Sequence, residues 1–96
     1  MPAVTRQGDL CTGHGDFPPR ESTSGSPNVF VNNKPAHRQN DSWAVHCNSV
    51  PVCHGGSLSS GSGSVYVNNR QLGRVGDPVS CGSSVATGSE NVFAED

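Results

Sequence analysis

The chain has 96 residues, a formal charge of −2 and no apolar run near the roughly 20 residues of a membrane span, so it reads as one domain, residues 1–96. Six Lys and Arg against eight Asp and Glu give no basic footprint, which excludes nucleic acid as a partner. Twelve Val, three Leu and no Ile, among abundant Gly, Ser and Asn, predict an all-β chain of short strands joined by tight turns.

The first element in chain order is Thr5–Asp9, TRQGD, a fragment whose full form comes later. Gly25–Asp41 reads GSPNVFVNNKPAHRQND, and Gly61–Asp77 reads GSGSVYVNNRQLGRVGD, identical at 8 of 17 positions without a gap. Gly88–Phe93, GSENVF, opens a third copy that Thr5–Asp9 completes. About three copies of one unit, cut out of register at the termini, predict a single body with pseudo-threefold symmetry.

Each full unit starts with a hairpin, Val29–Ala36 or Val65–Leu72. Asn32-Asn33 and Asn68-Asn69 suit a two-residue turn, because Asn tolerates positive φ. Alternation puts Val29 and Val31 on one face and Phe30 on the other, and likewise Val65 and Val67 against Tyr66. The four Val are sheet core on this pattern and are also the candidates for partner contact. An R-x-G/N-D element follows at Arg6, Arg38 and Arg74. The Arg should pair structurally with Asp or with carbonyls, and Asp9, Asp41 and Asp77 should bond backbone N–H groups just beyond the turn. His37, in the slot held by Thr5 and Gly73, is expected to face solvent, and Trp43 to pack locally.

His14 lies five residues after Asp9, His46 five after Asp41, and Cys81 four after Asp77. Equivalent positions in a threefold body converge on the axis, so His, His and Cys make three-quarters of a metal site. Either Cys53 or His54 can supply the fourth donor, since only one of two adjacent strand residues faces inward. Four protein donors leave no open position, which makes such a zinc structural. A Cys47–Cys53 disulfide and a four-Cys site with Cys11 and Cys81 are the rival arrangements. In a reducing cytoplasm, the expected place of synthesis given an N-terminus without an apolar run, metal binding ranks ahead of the disulfide.

The hairpin followed by R-x-G-D, and its return as GRVGDPVSCGS, resembles the PAAR-repeat proteins over Ala3–Phe93. The family's Pro-Ala-Ala-Arg stretch stands here as Pro35-Ala36-His37-Arg38, with Asn40 in place of one motif Gly and QLGR in the second copy. The resemblance implies a small cone-shaped fold. Its base caps a trimeric β-helical spike, one copy per trimer, and its pointed apex carries one zinc ion. The family's three His and one Cys correspond to His14, His46, His54 and Cys81. The implied role is structural: a membrane-piercing tip on a phage tail baseplate or a type VI secretion spike, the chain being monomeric when alone. Its length, without an appended toxin domain, leans towards a phage. A small zinc-dependent hydrolase is the alternative, but Glu21, Glu90 and Glu95 all fall in loops or the tail. A zinc-binding adaptor is the other.

Overall fold

In the computed structural model, which describes residues 1–95, the Asn-Asn pairs adopt positive φ at all four positions, 54° and 66° for Asn32 and Asn33 and 53° and 65° for Asn68 and Asn69. Both φ values match the type I′ turn whose twist suits a hairpin. The first turn joins β1 (Phe30–Val31) to β2 (Lys34–Pro35). Between the repeats come β3 (Ser42–Cys47) and β4 (Cys53–Ser57), and the second turn joins β5 (Tyr66–Val67) to β6 (Arg70–Gln71). The strands form three separate antiparallel pairs, and the described residues include no helix.

The third hairpin is made by the two chain ends. Ala3 bridges Phe93, and Val4 N–H donates to Val92 O at 3.0 Å, matching Ala36 to Val29 and Leu72 to Val65 at the same distance. The three units then lock head to tail through their backbones. Thr5 N–H donates to Gly73 O (3.0 Å), Gly73 N–H to His37 O (2.9 Å), and His37 N–H to Thr5 O (3.2 Å). These bonds close a ring around the pseudo-threefold axis.

Core residues stack along that axis as triads. Val31, Val67 and Ala94 pack with Val4, Ala36 and Leu72 in one cluster. Beyond the ring, Cys11, Trp43 and Val79 pack with Leu58 and Val85 in a second. The extents of 39 × 24 × 23 Å give one long axis and two nearly equal short ones.

Charged groups substitute for apolar mass between these layers. In each unit the Arg forks onto its own Asp: Arg38 Nε to Asp41 Oδ2 at 2.8 Å, and Arg38 Nη2 to Asp41 Oδ1 at 3.0 Å. Arg6–Asp9 and Arg74–Asp77 repeat this geometry. The turn between them needs a left-handed residue, supplied by Gly8, Asn40 and Gly76 at φ 96°, 74° and 94°. The Asp bonds backwards rather than beyond the turn. Its Oδ2 accepts the Arg's own backbone N–H at 2.8 Å in all three units.

His37 corrects the expectation of a solvent-facing residue. It is fully buried, with Nδ1 2.9 Å from Ser24 O and its ring against Trp43, which is buried as expected. The cause is the axial ring, which turns the Thr5, His37 and Gly73 slot inward. In the same slot Gly73 makes room for Leu58 and Thr5, since a Cβ there would lie 2.8 Å from both Leu58 Cδ2 and Thr5 Cγ2. The four Val are not uniformly core. Val67 is buried and Val31 half-buried, while Val29 and Val65 remain exposed beside Phe30 and Tyr66.

Candidate metal centre

Three local structures bring His14, His46, His54 and Cys81 together at the end of the axis away from the closing hairpins. His14 sits at a tight turn, where it exchanges backbone hydrogen bonds with Phe17, and Gly13 and Gly15 flank it with positive φ. His46 on β3 faces His54 on β4 as a direct cross-strand pair. Cys81 lies in the turn after Asp77, next to Gly82 at φ 102°. Gly56 on β4 makes room for it, since a Cβ at Gly56 would stand 3.1 Å from Cys81 Sγ.

The four donor atoms, one from each side chain, lie within 4.8 Å of one another. His54 Nε2 is 2.8 Å from His46 Nε2 and 3.0 Å from His14 Nε2. His46 Nδ1 donates to Pro18 O at 2.9 Å, which leaves the lone pair of His46 Nε2 pointing into the cluster. A single proton on His54 Nε2 can serve only one of its two imidazole neighbours. A cation among them accepts every lone pair at once. Two nitrogens of a tetrahedral zinc stand roughly 3.3 Å apart, a few tenths of an ångström beyond these separations. Desolvation, and then the neighbouring His46 and His14, hold His54 below the usual imidazole range. The donor set therefore fits a metal ion.

Two supporting residues were not picked out from the sequence. The Phe17 ring covers the cluster, with centroids 4.3, 4.8 and 4.9 Å from those of His54, His14 and His46. Pro18 supplies the orienting carbonyl. Phe17 lies three residues beyond His14 in a Pro-flanked turn, and that proximity was the available signal.

The cysteines next to the histidines behave differently. Cys47 and Cys53 are joined in a disulfide, their Cα atoms 4.1 Å apart. Metal binding had ranked ahead of this pairing. Strand alternation explains the result, because His46 and His54 turn inward while Cys47 and Cys53 meet on the exposed outer face. Cys53 is thereby removed as a rival to His54. Cys11 is a buried free thiol in the second core cluster, which rules out the four-Cys arrangement.

The PAAR motif family matches residues 12–87 of this chain. Two Pseudomonas aeruginosa proteins, the NAD(P)(+) glycohydrolase toxin Tse6 and the (p)ppApp synthetase toxin Tas1, are each 34% identical to it over 74 residues. The match covers 72% of this chain but only 17% of either toxin, so the likeness is to a small part of much longer proteins. On the match across most of its length, the chain belongs to the PAAR motif family.

Proposed function

We propose that this chain is the structural tip of a contractile injection spike, its broad end seated on a trimeric β-helical needle and its apex held by one zinc ion. The observation that carries the docking half is a ring of matched exposed residues. Phe30, Tyr66 and Phe93 occupy equivalent positions in the three hairpins and are 56%, 56% and 47% exposed. Beside them Val29, Val65 and Val92 are 38%, 37% and 37% exposed. Exposed aromatics repeated about a threefold axis suit a partner with that symmetry, so one monomeric chain can satisfy three needle subunits.

At the apex His14, His46, His54 and Cys81 would hold the ion. Structural zinc supplies folding free energy on the order of 10 kcal/mol, which compensates for the lack of room for apolar side chains at a narrowing tip. Four protein donors leave no position for a reacting water, which favours a structural role over a hydrolase. Kinship with segments of toxins shifts the setting from a phage tail towards a secretion machine.

The test is binding of the isolated chain to a trimeric β-helical needle. Triple substitution of Phe30, Tyr66 and Phe93 by Ala should weaken it at least about a hundredfold, since buried aromatic anchors dominate such interfaces. The wild-type complex should persist at about 1 M salt, where the Debye length is only about 3 Å. Unchanged binding by the triple variant, or dissociation in salt, would place the contact on the charged residues.

A further inference from the structure

The Cys47–Cys53 disulfide stands one residue outside the His46–His54 pair on the same two-stranded ladder. On the side towards the core, the register of β3 and β4 shifts between Trp43 and His46. Only two cross-strand pairs therefore lie beyond that irregularity: the two histidines and the two cysteines. The Glu21–Thr23 segment pairs alongside β3 only as far as Ala44, whose N–H donates to Glu21 O at 2.9 Å, and among the described residues no third strand flanks the two pairs beyond it; an isolated two-stranded hairpin has little stability of its own. Past the cysteines the turn depends on Asn48, whose Oδ1 accepts the N–H groups of Val50 and Val52. The covalent bond is the strongest link holding the distal ends of β3 and β4 together. Both sulfur-bearing residues are exposed.

We propose that Cys47 and Cys53 form a reversible thiol–disulfide latch that controls how long the apex keeps its metal, by fixing His46 and His54 opposite each other. The proposal rests on His14, His46, His54 and Cys81 being the ligands. The chemistry is exchange with external thiols and disulfides. An external thiolate attacks one sulfur, forms a mixed disulfide and releases the other cysteine as a thiolate. A second external thiolate then attacks the external sulfur of that mixed disulfide and releases the remaining cysteine as a thiolate. Two external thiols become one external disulfide, and the chain gains two electrons and two protons as two free thiols. Closure is the reverse, with an external disulfide as oxidant. Opening leaves the four ligands in place but frees the hairpin ends to separate, so metal escapes faster. Closure in an oxidising compartment locks the loaded tip.

The experiment loads the wild-type chain with one equivalent of zinc and equilibrates it in reduced or oxidised glutathione. Alkylation and mass measurement read the cysteine state, and a colorimetric chelator reads zinc release. Release from the disulfide form should be slower by about tenfold or more, the scale on which supporting groups act on bound metals. The Cys47→Ser/Cys53→Ser variant should release at the fast rate in both buffers. Reduced wild type gives the same comparison should that variant fold poorly. Equal rates from the two wild-type forms would overturn the latch. So would redox dependence that persists in the double variant, because Cys81 would then be the sensor. Failure of the oxidised wild type to take up zinc would sink the ligand assignment and the latch together. None of these outcomes depends on the needle, so they stand apart from the capping assay.

Discussion

At His37 the fold buries an ionisable ring completely. Desolvation holds it below the usual imidazole range, outweighing the opposing pull of Asp41, so it is kept neutral in the fold. Its Nε2 has no hydrogen-bond partner, and neither do the nearby Trp43 Nε1 and Thr5 Oγ1. In the unfolded chain it takes up a proton near pH 6.5. Its stabilising effect is therefore complete above that pH and is lost as pH falls below it, towards the lower folded value. Asp9 and Asp41 are depressed despite desolvation, by hydrogen bonds from Arg6 and Arg38. Their stabilisation persists above about pH 4 and disappears only as pH falls through their lower folded values. Protonation of the three histidine donors lowers the melting temperature of any metal-loaded form between pH 7 and 5, and the wild type should lose more over that range than His37→Gln. A second loss below pH 4 should be common to both proteins. Parallel curves for the two proteins would contradict this assignment.

At the scale of elements, the Asn-Asn hairpins were legible in the sequence because their signal is local. Two adjacent residues that accept positive φ, between short β-branched runs, leave few alternatives. Asn32 has a second duty, since its Oδ1 accepts from Arg6 Nη1 and Ser89 Oγ, tying the first hairpin to the closing unit. Asn33→Gly should therefore be nearly neutral. Asn32→Gly keeps the turn but loses the ties, and should cost about 1–3 kcal/mol in denaturant unfolding. Equal effects at the two sites would mean that only turn conformation matters. The β3–β4 ladder was less legible. Which side chain opposes which depends on the register shift between Trp43 and His46, and no spacing rule encodes that. For this reason the sequence left Cys53 and His54 open, whereas the disulfide ranked below metal binding on the expectation of a reducing cytoplasm. His37 was misplaced for a related reason: its slot faces inward only once three distant backbones close the axial ring.

For the whole molecule, one symmetry explains both ends. The repeat offset that aligns Arg6, Arg38 and Arg74 also aligns the exposed Phe30, Tyr66 and Phe93 and brings His14, His46 and Cys81 to the opposite end. The convergence of His14, His46 and Cys81 was readable in the sequence, since equivalent positions meet about a common axis, whereas the exposed aromatic ring was not, because the hairpin Val residues were the partner candidates there. The symmetry is imperfect where it matters chemically. His54 stands opposite His46 on β4, where the corresponding bridged turn Leu10–Glu21 of another unit sets Phe17 opposite His14, and it completes the donor set. On the proposed function, one chain holding one metal terminates one trimeric needle. Native mass spectrometry of the chain mixed with a trimeric β-helical needle tests this in a single spectrum. The predicted species has one copy of this chain, three needle subunits and one zinc ion, and Cys81→Ala should shift it to a metal-free mass or abolish it. A 3:3 complex, or a full 1:3 complex carrying no metal in the wild type, would contradict the account.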